Sequence, residues 1–104
     1  FDRLKEIIYR DISTFKGKFL EKLFVELLKE KQTFTNIGSY WERNNQNEID
    51  IVAIDDIDKK LLICEVKLSD KRLNYNDLVL KSQKLVQDYK AYEIEYKLLS
   101  VKDI

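Results

Sequence analysis

The chain has 104 residues, with 19 basic and 19 acidic side chains, no His, one Cys, no Met, no Pro and two Gly. That length bounds it to one domain, 1–104, with a single two- or three-layer core. The counts exclude Ser-His-Asp and Cys-His catalysis, His-ligated or four-cysteine zinc, a disulfide framework and any glycine-rich phosphate loop. Chemistry is left to carboxylates, Lys, Tyr and a bound metal. The absence of Met leads to the expectation of a processed product or a piece of something longer. No apolar run approaches the roughly 20 residues of a spanning helix, and no signal peptide opens the chain. With one Cys and no membrane segment, the expected location is the cytoplasm.

The N-terminal third reads as helix. Phe19, Leu20, Leu23, Phe24, Leu27 and Leu28 recur on one helical face, with Lys18, Lys22, Lys29 and Glu30 opposite. Ser13 and Thr14 are candidate caps, and a shorter amphipathic stretch, Leu4 to Ile12, precedes them. From Thr33 through Phe34, Thr35 and Ile37 the pattern alternates as a strand that Gly38 is expected to stop. A polar loop, Glu42 to Asn47, is entered through Tyr40-Trp41. Two β-rich runs then flank a turn over Asp55 to Lys60. Asn76 to Tyr89 returns to helical spacing, with Asn74 or Asn76 as cap. Leu78, Val79, Leu85, Val86 and Tyr89 share its apolar face, and Tyr92, Ile94, Tyr96 and Leu98 alternate as a last strand. The order is helix, three strands, helix, strand: a mixed α/β domain whose first three strands form an antiparallel meander.

The net charge of zero conceals an acidic middle. Residues 42–65 carry three basic and seven acidic groups, while residues 1–31 and 66–104 each carry eight basic and six acidic. Within that middle, a four-residue turn at Asp56 to Lys59 pairs Asp55 with Lys60. It sets Asp50 opposite Glu65, Val52 opposite Ile63 and Ile54 opposite Leu61, all on one face. Ile49, Ile51, Ala53, Leu62, Cys64 and Val66 are expected on the other. At the open end one face turns polar, gathering Glu48, Asp50, Glu65 and Lys67. Directly opposed residues have Cβ atoms roughly 4.5–5.5 Å apart. Two carboxylates held so close favour a divalent cation between them, and oxygen ligands suit Mg²⁺ or Mn²⁺.

Asp50, fourteen intervening residues, then Glu65-Val66-Lys67 resembles the PD-(D/E)XK nuclease superfamily, with Ile49 where that pattern has Pro. Gly17-Lys18-Phe19-Leu20-Glu21 is similar to the helix segment that carries a glutamate in many members. The wheel puts Glu21 and Glu26 at opposite edges of the apolar face, and the resemblance favours Glu21. Together with Tyr40-Trp41 and Glu48-Ile49-Asp50-Ile51-Val52-Ala53, these segments resemble the nuclease-like C-terminal domain of prokaryotic AAA-type ATPases. Holliday-junction resolvases and Mrr-like endonucleases are similar in much of the pattern.

The resemblance implies a restriction-endonuclease-like αβββαβ core, with a mixed sheet flanked by helices. It implies Mg²⁺-dependent hydrolysis of DNA, with Asp50, Glu65 and the Val66 carbonyl holding the metal and Lys67 positioning water. Glu21 would orient the metal or its water shell. It also implies an ATPase module N-terminal to Phe1 and a possible pairing into homodimers. Lys71, Arg72, Lys81 and Lys84 offer a basic surface for phosphates, and Gln83 or Lys84 is a weaker helix candidate for the site. The rival reading is an inert module of the same fold that binds nucleic acid or regulates an ATPase. Trp41 is read as a lid on the core, with base stacking as the alternative. Cys64 reads as an inert core thiol, and Tyr89, Tyr92 and Tyr96 as packed on the sheet.

Overall fold

The computed structural model describes residues 17–43, 47–68, 71 and 73–103. The candidate caps Ser13 and Thr14 and the stretch from Leu4 to Ile12 lie outside these residues. Helix α1 (Gly17–Glu30) buries Leu20, Phe24 and Leu28, which the four-residue spacing stacks on one stripe. Each such burial stabilises by about 1.5–3 kcal/mol relative to exposure. Phe19 is largely exposed, so the buried stripe is narrower than the six apolar residues suggest. The helix closes with Lys31 N–H on the Leu28 carbonyl and Gln32 N–H on that of Lys29. Gln32 then turns left-handed (φ 55°), which ends the helical path.

Four strands follow in the order β1 (Asn36–Trp41), β2 (Glu48–Asp55), β3 (Lys60–Val66) and β4 (Glu93–Leu99). The first three form the antiparallel meander that the spacing predicts, and β4 lies parallel to β3. A parallel neighbour requires a crossover, supplied by α2 (Tyr75–Lys81) and α3 (Gln83–Gln87). The architecture is α/β, an αβββαβ order with a mixed sheet flanked by helices. Among the described residues no helix is long and apolar enough to cross a membrane.

Both sheet faces are covered. Under α1 lie Ile51, Ala53, Leu62, Cys64, Val66 and Val101. Against α2 and α3 lie Ile49, Val52, Leu61 and Ile63, with Leu78 and Leu85 from the helices. Tyr89, Tyr92 and Tyr96 pack against this second layer, as the alternation predicts. Cys64 is fully enclosed, and burial pushes its thiol from 9.0 up to about 12.

Two local expectations need correction. Gly38 does not stop the first strand, which runs from Asn36 to Trp41 with Gly38 opposite Val52. Pairing with β2 carries it onward, and a Cβ at Gly38 would meet nothing within 4 Å. The second helix is not continuous either. Asn74 caps it, its side chain accepting from Asp77 N–H, but it breaks at Ser82. Ser82 is buried in the apolar face, where its Oγ is hydrogen-bonded to the Val79 carbonyl (2.9 Å) and the Tyr96 hydroxyl (3.1 Å). Such back-bonding from a serine hydroxyl competes with the helical ladder and bends it.

Candidate functional site

The register of the β2–β3 hairpin is the one the turn length dictates. Asp55 pairs with Lys60, Ile54 with Leu61, Val52 with Ile63 and Ile51 with Cys64. There the ladder ends. Between Gly38–Val52 and Tyr40–Ile49 the β1–β2 register slips, so Asp50 and Ile51 together oppose Ser39 alone. This β-bulge inserts one residue into β2 and reverses its side-chain phase.

The bulge overturns the expected sharing of faces. Ile49 packs with Val52 and Ile63 toward α2 and α3, while Ile51 packs with Ala53 beneath α1. Asp50 is carried to the α1 side, where it lines two adjoining clefts with Glu21. Glu65 stays on the α2 side, buried, its Oε1 accepting from Lys81 Nζ at 2.8 Å. Asp50 and Glu65 therefore do not stand opposite one another on one face. They flank the strand end from its two sides.

What joins them is the backbone of β3. Asp50 Oδ2 accepts the Val66 N–H at 2.8 Å, in place of the next rung of the ladder. The carboxylate thus sits against the residue that follows Glu65. Lys67 is exposed, with its N–H held by the Leu99 carbonyl of β4 at 3.0 Å. The hairpin end accordingly gathers Asp50, Glu65 and Val66, with Lys67 one residue further on.

Glu21 lines both clefts beside Asp50, whereas Glu26 reaches only one and is exposed beside Lys29. That geometry prefers Glu21, as the resemblance does. Lys81 is engaged with Glu65 rather than presented to solvent as a phosphate contact. Lys71 and Lys84 are exposed, Gln83 bonds the Val79 carbonyl, and Arg72 lies outside the described residues. Trp41 is no lid: it is 67% exposed and borders the first cleft with Glu21, Ser39, Tyr40, Glu48, Ile49 and Asp50. The contact of Lys81 with Glu65 and the outward Trp41 are the features that sequence spacing missed. A serine inside the second helix's apolar face was the one available sign that this helix is bent.

The donor types suit a hard divalent cation, but the described geometry keeps Asp50 and Glu65 on opposite sides of the strand end, with Glu65 held by Lys81. Asp50, Glu65 and the Val66 carbonyl are all oxygen donors, and the described contacts occupy one oxygen of each carboxylate. Among the described residues no three acidic or thiol side chains converge into a metal-binding group.

Fold and site together define an α/β domain with a bulged, carboxylate-flanked strand end. The chain belongs to the DUF234 family of archaeal and bacterial proteins of unknown function, whose model matches residues 1–82. It is similar to an uncharacterised protein of Methanocaldococcus jannaschii, 36% identical over 84% of this chain. The match covers 22% of that relative's own length, so the chain spans about a fifth of it. No solved structure matches the chain.

Proposed function

We propose that this domain is a PD-(D/E)XK-type site that hydrolyses phosphodiester bonds in DNA with a bound Mg²⁺ or Mn²⁺. The observation that carries the reading is the contact of Asp50 with the Val66 N–H at a strand end that also bears Glu65 and Lys67. In this reading Asp50, Glu65 and the Val66 carbonyl hold the cation. When bound, it supplies Lewis acidity toward a phosphodiester oxygen and lowers the pKa of water. The Val66 N–H orients the Asp50 carboxylate. Lys67, exposed two residues beyond Glu65, offers an ammonium to the negative charge that grows on phosphate during attack. Glu21 borders the Asp50 cleft and holds water there. The short span relative to the archaeal protein supports a module within a longer chain, for which an attached ATPase is the proposed partner.

One observation favours a second reading. Lys81 already neutralises Glu65, one of the two carboxylates, without a cation, which suits an inert nucleic-acid-binding or regulatory module.

Calorimetric titration with Mg²⁺, Mn²⁺ and Ca²⁺ separates the two. Asp50→Asn keeps an acceptor for the Val66 N–H but removes the charge, so it is expected to fold and to lose metal binding. Lys67→Ala is expected to retain metal while losing cleavage of a DNA panel that includes branched and flapped substrates, by about 10²–10³-fold. Equal metal affinity in wild type and Asp50→Asn removes the metal site. Metal binding without cleavage of any substrate leaves the inert module.

A further inference from the structure

We propose that Trp41 is a stacking platform for one unpaired nucleobase, seated in the cleft that it shares with Asp50. The assignment rests on the phosphodiester reading only for the nature of the polymer, and its test does not require cleavage.

A large apolar side chain left in water at a cleft is an informative exception to burial. Trp41 ends β1, where it pairs with Glu48, and its indole is 67% exposed. Its backbone is nonetheless firmly held. Tyr40, the preceding residue, packs into the opposite core layer, and its hydroxyl donates to Glu42 Oε2 at 3.0 Å. Glu42 Oε1 accepts from Asn47 Nδ2 at 3.0 Å, and Glu42 N–H donates to the Asn47 carbonyl. Glu42 and Asn47, the two ends of the loop that follows Trp41, are therefore clamped to each other. A platform fixed before binding loses little freedom when a ring settles on it.

The walls decide what settles there. The cleft encloses about 380 Å³ and is lined by Ser39, Glu21, Glu48 and Asp50 around the two aromatic residues. An apolar protein anchor would meet carboxylates rather than a hydrophobic wall. A nucleobase meets both of its needs: an aromatic face for its ring, and carboxylate acceptors for an exocyclic amino group. The adjoining cleft shares Glu21, Ser39 and Asp50 and brings Lys22 and Lys29 to its rim, and Arg43 is exposed just beyond Trp41. Lys22 and Arg43 offer positive charge near the cleft to the phosphates that flank a seated base, and Lys29 does so beside its partner Glu26. In a duplex both faces of each base are covered by neighbours, so the substrate class is single-stranded, frayed or branched. Cytosine and adenine, which carry amino groups, are preferred over thymine.

Trp41 is the only tryptophan in the chain, so its emission reports this site alone. In Ca²⁺, a ~12-nucleotide oligo(dC) is expected to quench that emission, oligo(dT) more weakly, and a blunt duplex hardly at all. By anisotropy of labelled oligo(dC), Trp41→Ala weakens binding about ten- to hundredfold, while Trp41→Phe restores most of it. Unchanged emission under saturating oligonucleotide, or equal affinity of wild type and Trp41→Ala, overturns the proposal. So does emission that responds only to protein concentration, which would mark the indole as a contact between copies. A cleavage assay of wild type in Mg²⁺, set beside this titration, separates the two readings. Quenching with no cleavage by wild type overturns the nuclease and keeps the platform; cleavage with no quenching does the reverse.

Discussion

The β2–β3 hairpin has two ends built from the same residue types and arranged to opposite effect. At the turn, Asp55 and Asp56 are committed to the protein. Asp55 Oδ1 accepts the N–H groups of Ile57 and Asp58, each at 3.0 Å. Asp56 accepts from the hydroxyls of Thr35 and Tyr92. At the open end Asp50 accepts the Val66 N–H beside a cleft, and Glu65 accepts from Lys81 on the other side of the sheet. Composition does not separate the two ends; what separates them is the partners, backbone N–H groups and hydroxyls at the turn against a cleft and a lysine at the open end.

That contrast can be broken from the turn. Asp55→Ala removes the acceptor of two backbone N–H groups from a buried position. It is expected to cost about 2 kcal/mol of stability, read as a lower urea midpoint at unchanged slope. Metal binding at the open end should remain at the wild-type level. A loss of metal affinity in Asp55→Ala would mean that the two ends are one energetic unit.

The next effect is in pH. Hydrogen bonds from Tyr92 and Thr35 hold the Asp56 carboxyl below its ordinary 3.8. The folded state therefore binds this proton less readily than the unfolded one. The stability contributed is complete above about 3.8 and is lost as pH falls through the lower folded value. Melting temperature followed from pH 5 downward should fall less steeply in Tyr92→Phe than in wild type. Parallel curves would show that the Asp56 contacts are energetically idle.

The smallest expected change is at Gly38, one pair before the bulge. No glycine among the described residues has a positive φ, and a Cβ there meets open space. Gly38→Ala should stabilise by about 0.5–1 kcal/mol, because the unfolded chain loses freedom. If cleft chemistry depends on a yielding β1, the gain in stability will come with weaker metal binding, measured in the same calorimeter.

Much of the fold was legible because it follows from period and turn length. The four-residue turn set the hairpin register from Asp55–Lys60 to Ile51–Cys64, and the spacing of Leu20, Phe24 and Leu28 set the buried stripe of α1. The bulge was not legible, since Ile49-Asp50-Ile51 alternates as a regular strand does. Only the competition between two core layers, each needing an isoleucine, inverts the phase. Trp41 was misread as well. It ends β1 largely exposed and borders the cleft with Glu21 and Asp50 instead of covering the core. Glu21 and Asp50 meet because that same inversion turns Asp50 toward the helix.

The enclosed Cys64 has a use as a clock. Its thiol lies between α1 and the sheet and is held almost wholly protonated at neutral pH. A thiol reagent can therefore react only after the α1 layer lifts away. With one cysteine in the chain, the labelling rate converts directly into the free energy of that opening. The chain thus carries its own reporter of how firmly the helix bearing Glu21 is seated.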